Sequence, residues 1–188
     1  LTLAFSLALT DNNLVSGINF DSLFRFLPIS FLGIVTAFFV HEISHKFMAQ
    51  KYGLWAEFRM YPTGLILALF LAFFTGFVFA APGAVMFRGD SRSFETGRIA
   101  AAGPFANLII AFITFPLYLF IFYEETLIGS ILSFVCFINA FLATFNLIPI
   151  GPLDGAKVIR WNLNIWMVLF SVAVALSVYI YVGSSITL

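Results

Sequence analysis

Charge is scarce in this chain of 188 residues: Asp, Glu, Lys and Arg make up 10%, against roughly 25% in a soluble domain. Nine cations balance nine anions, so there is no basic footprint and nucleic acid is excluded as a partner. A single cysteine, Cys136 within Phe134-Val135-Cys136-Phe137, rules out an internal disulfide and reads as core or lipid-facing packing. Only two histidines are present, so a metal site would have to recruit another residue type. There is no low-complexity tract, and the composition leaves no stretch for an appended soluble domain. The apolar stretch Leu1–Leu9 has no basic segment ahead of its core. It therefore reads as the remnant of a first transmembrane helix, truncated or processed upstream, rather than as a signal peptide. Apolar side chains fill the rest: 62% of residues are hydrophobic, 26 are Phe, and mean hydropathy is +1.05. The expectation is a single membrane-embedded domain over residues 1–188, all-α, with a bundle of about five to six transmembrane helices.

The hydropathic segments are Phe26 to about Ala49, Gly64–Ala81, Ile99–Phe122, Leu127–Ile148 and about Trp161–Gly183. Of the nine basic residues, all but Arg25 lie at the end of the first segment or beyond it, ahead of the Ile99 segment, or follow the Leu127 segment. The turn at Glu124 and Glu125 has none. By the positive-inside rule, the end of the first segment, the stretch Lys51–Arg98 and the end of the Leu127 segment share the cytoplasmic side. A single crossing by Gly64–Ala81 would put Arg59 and Arg88 on opposite faces. Gly64–Phe74 is short for a span, Gly76 interrupts it, and two short apolar runs flank Pro82-Gly83. The predicted arrangement is a helix that does not cross, then a re-entrant β-hairpin formed by 77–81 and 84–87 at the cytoplasmic face.

Against this background stands His41-Glu42-Ile43-Ser44-His45, inside an apolar stretch free of charge from Phe26 to Val40. Helical residues four apart share a face, so both imidazoles can address one metal, with Glu42 beside them as a general base. Ionisable groups at membrane depth are costly and mark function. A catalytic zinc site needs a third protein ligand, and with no further His that ligand should be a carboxylate. Asp154 is the candidate. It follows Asn146-Leu147-Ile148-Pro149-Ile150-Gly151-Pro152-Leu153, where two prolines and a glycine break the preceding helix. Broken backbone at that depth is tolerated only within protein or around a water-filled cavity.

HEISH with NLIPIGPLDG downstream, and Gly103-Pro104-Phe105-Ala106-Asn107 between them, resembles the site-2 protease family of intramembrane zinc metalloproteases. The likeness runs from His41 to about Lys157. It implies one zinc per chain on His41, His45 and Asp154, with Glu42 as the base activating zinc-bound water. It also implies that Asn146, with Asn107 as a second candidate, positions substrate or the oxyanion. The implied substrate is a transmembrane helix of another protein, hydrolysed within or near the membrane after local unwinding. An exposed strand edge at Phe77–Phe87 could receive it. The implied location is an integral membrane protein of a prokaryotic cell or inner membrane, its zinc site toward the cytoplasm. The extra apolar piece Gly64–Phe74 has no counterpart in the minimal family core.

Plainer readings exist for each residue. The histidines could pack against backbone carbonyls, Glu42 could pair with Lys46, Asp154 could cap a helix, and Asn146 and Asn107 could bond neighbouring helices. Rival functions are an intramembrane metal-binding transporter, or a catalytically inactive module that binds membrane proteins. A transporter would be expected to repeat its motif in two halves, and no second HExxH-like or LDG-like segment is present.

Overall fold

The computed structural model describes residues 1–10, 19–75, 83–120 and 126–186. After the short helix α1 (Thr2–Leu9), α2 (Phe20–Ile34) starts at Asn19, whose side chain accepts the Ser22 N–H at 3.1 Å. α2 continues through a π-helical turn (Val35–Phe39) into α3 (Val40–Lys51), and together they form one long apolar helix. It stops at Gly53, whose φ of 73° is the left-handed position that ends helices. The Gly53 and Leu54 N–H groups turn back onto the carbonyls of Gln50 and Ala49.

Strand β1 (Trp55–Met60) follows, then α4 (Pro62–Thr75), then β2 (Gly83–Arg88). The strands pair antiparallel, from Trp55 opposite Arg88 to Met60 opposite Gly83. Sequence reasoning expected a local hairpin over 77–87. Its second strand forms as β2, while 77–81 lie outside the described residues and the partner found within them is β1. The difference has a physical source. The hairpin rule assumes sequence neighbours pair, whereas these strands close around an inserted helix. Met60 faces Gly83, so the chain leaves and returns at one place. The two ends of the segment 61–82, and with them Arg59 and Arg88, therefore lie side by side in the sheet.

Helix α5 (Ser93–Phe120) is the hub, packing against α3, α6 (Leu127–Asn146) and α7 (Asp154–Trp161). Contacts between helices use small residues, with Ala37, Ala111, Ala140, Ala143 and Ala173 fully buried, as expected where close approach replaces a hydrophobic drive. Cys136 lies in the same core with Ala111, Ala140 and Leu176, so its role is packing. Helix α8 (Leu163–Ile186) ties down the broken stretch after α6, as its Trp166 indole N–H donates to the Leu147 carbonyl at 2.8 Å. Four described helical runs are long and apolar enough to cross a membrane: Phe20–Lys51, Ser93–Phe120, Leu127–Asn146 and Leu163–Ile180. The expected five to six also counted Leu1–Leu9, which here lies in an eight-residue helix; α4, at 14 residues, also falls short of that length.

Candidate metal centre

α3, α5 and α7 converge at one end of the bundle, and there the three sequence candidates meet. His41 Nε2 and His45 Nε2 lie 3.0 Å apart. The Asp154 Oδ2 atom is 3.4 Å from the first and 3.1 Å from the second. Ligand atoms about 2.1 Å from a tetrahedral zinc stand about 3.4 Å apart, so this triangle has the right size for one ion. All three residues are buried.

The far sides of the rings decide what the near sides can do. His45 Nδ1 donates to the Ile99 carbonyl at 2.7 Å, and His41 Nδ1 faces the Asn107 side-chain oxygen at 2.5 Å. Both partners are acceptors, so each Nδ1 carries the proton and each Nε2 presents a lone pair. Two lone pairs and a carboxylate oxygen then point at one another, an arrangement that requires a cation. Burial alone would push the Asp154 carboxyl up, but the adjacent His45 and His41 rings, as positive or hydrogen-bonding partners, more than offset it and hold the group well below the usual carboxylate range. The carboxylate is thus an anionic partner for whatever cation the pair holds, proton or metal. Its other oxygen accepts Lys157 Nζ at 3.2 Å.

Local sequence explains the convergence. Gly103 lets α5 lie directly on the imidazoles, since an added Cβ would come within 2.5 Å of His45 Nε2 and 2.7 Å of His41 Nε2. Gly155 allows α7 to start against the end of α6, where a Cβ would lie 2.1 Å from the Leu147 carbonyl. Leu153, not Asp154, occupies the cap position of α7, so Asp154 is not the cap that a plainer reading made of it.

Glu42 is half-buried on the cavity wall and accepts the Val85 backbone N–H of β2 at 2.7 Å. Among the described residues it forms no ion pair with Lys46. Asn146 lines the same cavity of about 360 Å³ with its amide N–H turned back to the Leu142 carbonyl. Asn107 does not line it. It is fully buried behind His41, with its side-chain oxygen against the ring. A second, more apolar cavity of about 480 Å³ shares Phe38, Glu42 and Val85 with the first, so Glu42 stands where the two meet. Sequence reasoning missed Ile99, Val85, Asn139 and the Lys157 contact. The first two act through backbone atoms and carry no residue-type signal.

A profile of peptidase family M50 matches residues 121–186. The chain is also 45% identical over 141 residues to "Putative zinc metalloprotease MJ0611" of Methanocaldococcus jannaschii, covering 74% of this chain and 73% of that one. The chain belongs to peptidase family M50, the site-2 protease family. A second relative, "Putative zinc metalloprotease YwhC" of Bacillus subtilis, is 30% identical over 158 residues, covering 71% of this chain and 68% of its own length. "Zinc metalloprotease MJ0392" of M. jannaschii is 27% identical over 137 residues, which are 34% of that longer protein. No solved structure matches the chain significantly. Family membership and the apolar helices together make this M50 chain an integral membrane zinc metalloprotease.

Proposed function

We propose that this M50 protease holds one zinc ion on His41, His45 and Asp154 and hydrolyses a peptide bond within or near a transmembrane helix of another membrane protein. The observation that carries the reading is the triangle of acceptors, each imidazole fixed from behind in the tautomer that leaves Nε2 free. Zinc supplies Lewis acidity there, lowering the pKa of bound water and polarising the scissile carbonyl.

The chain's own groups account for the proton. The Glu42 carboxylate takes it from the attacking water and delivers it to the leaving amine. Val85 N–H keeps that carboxylate directed at the cavity. Asn146 orients the substrate carbonyl in this reading, which its position on the cavity wall supports. The apolar second cavity supports entry of a membrane segment from the side, directly onto the base. Arg88, Arg92 and Arg98 sit over Trp55, Phe94 and Trp161 near this end of the bundle, which supports a zinc site toward the cytoplasmic face.

β2 offers a receiving edge. Val85 gives its N–H to Glu42, and antiparallel alternation turns Gly83 and Phe87 to the same edge, which carries no other strand among the described residues, so an unwound substrate can add there as a strand. Val85→Pro removes that N–H without removing a ladder bond. It is expected to lower kcat about tenfold or more with zinc content unchanged. Unaltered cleavage would remove both the Glu42 contact and the strand edge from the mechanism.

The direct test is cleavage of a model transmembrane substrate by the purified protein in detergent with zinc, beside Glu42→Gln. Wild type should cleave, a chelator should stop it, and the variant should lose about 10²–10⁴-fold while keeping its zinc. Equal turnover by Glu42→Gln would overturn the role of Glu42, and no stoichiometric zinc in wild type would overturn the centre.

A further inference from the structure

We infer that Asn139, on α6 and out of reach of the cavity, is a positioning residue for the metal centre, acting on His41 through Asn107. The inference rests on the proposed role of His41 as a ligand and extends it two residues outward.

A side-chain amide can present either its oxygen or its nitrogen, and the choice at Asn107 determines the choice at His41. With the oxygen toward Nδ1, the ring carries its proton there and Nε2 is free to bind metal. With the amide reversed, its N–H group would face Nδ1, the proton would move to Nε2, and the ligand would be lost. Two contacts prevent the reversal. The Asn107 nitrogen donates to the Ala37 carbonyl at 2.9 Å and to the Asn139 side-chain oxygen at 2.8 Å. A reversed amide would set oxygen against both.

Asn139 is fixed in turn. Its nitrogen donates to the Val135 carbonyl at 2.8 Å and to the Thr36 hydroxyl at 3.1 Å. That hydroxyl gives its own proton to the Leu32 or Gly33 carbonyl, at 2.8 and 3.0 Å, so toward Asn139 it accepts. Every donor in the chain Thr36–Asn139–Asn107–His41 therefore runs one way. Both asparagines have 0% exposure, so no water can substitute for a missing partner. The π-helical turn just before His41 contributes at both ends, through the Ala37 carbonyl and the Thr36 hydroxyl. Wide turns of this kind gather at functional sites, and this one supplies two contacts of the chain.

The test compares zinc affinity, by competition with a chelator, and the visible spectrum of the Co²⁺-loaded protein. The proteins are wild type, Asn139→Leu, Asn139→Asp and Thr36→Val, the substitutions at 139 and 36 being repeated in an Asn107→Leu background. Asn139→Leu should weaken zinc binding about tenfold and alter the Co²⁺ spectrum. Asn139→Asp keeps the acceptor toward Asn107 and should lose less. In the Asn107→Leu background, changes at 139 and 36 should cost no further affinity, because nothing remains for them to orient. Equal losses in both backgrounds would mean a packing role and overturn the inference, as would unchanged affinity in Asn139→Leu. Should Asn139→Leu not fold, Asn139→Asp and Thr36→Val decide: full wild-type affinity in both overturns it. Wild type that binds no zinc would instead sink the metal-centre reading beneath it.

Discussion

Asp154→Ala protein is expected to hold no stoichiometric zinc and to cleave nothing. Three acceptors converge at the site, and Asp154 provides the only negative charge among them. Removing it leaves two neutral nitrogens, too few for a stable zinc site. It also frees Lys157, whose ammonium group sits 3.2 Å from the carboxylate and would then face the imidazoles unpaired, repelling any cation. The measurement is metal content after purification, together with thermal unfolding in zinc and in chelator. Wild type in zinc at 100 times its Kd should gain about 2.7 kcal/mol over the chelated protein, and the variant nothing. The competing account makes Asp154 a favourable acid at the start of α7, worth about 0.3–1 kcal/mol regardless of metal. A variant that lost only that amount and kept its zinc would support the competing account.

Gly103→Ala should be nearly as damaging, though it removes no functional group. The added methyl would press on both metal-facing nitrogens, at 2.5 and 2.7 Å, against imidazoles held from behind by Ile99 and Asn107. Neither ring can retreat without losing its hydrogen bond, so α5 must move away from α3 instead. Zinc content and cleavage should both collapse, and Gly103→Val should be worse. Phe105→Ala, two residues on and exposed to the surroundings at 54%, is the control and should retain zinc. A Gly103→Ala protein with full zinc and normal turnover would show that the helices have slack here, and the close approach would lose its meaning.

How much of this was readable in the sequence depends on where each partner lies. His41, His45 and Glu42 sit within five residues and declare themselves by spacing. Asp154 was reachable because helix-breaking residues ahead of it are conspicuous in an apolar chain. Asn107 was noticed, but its task was not, because the atom it serves is 66 positions away. Asn139 carries no signal of its own, since a polar residue in an apolar helix is a pattern shared by simple interhelical bonds. β1 was missed for another reason. Glu57 and Arg59 make Trp55–Met60 look like a solvated linker, and only Ala56 of the strand is buried. The strand is specified by its distant partner rather than by its own alternation. The breaks at Gly53 and Pro149–Pro152 were legible, since glycine and proline act locally.

The rung that joins Met60 to Gly83 has a consequence for how such proteins can diversify. Everything between those residues is a cassette clipped at its base. Its helix α4 packs on α1, while the sheet packs on α3 and reaches Glu42. Lengthening a chain segment whose ends are already joined is cheap, about 0.6 kcal/mol for each doubling. Residues added between Met60 and Gly83 should therefore leave the metal triangle where it is.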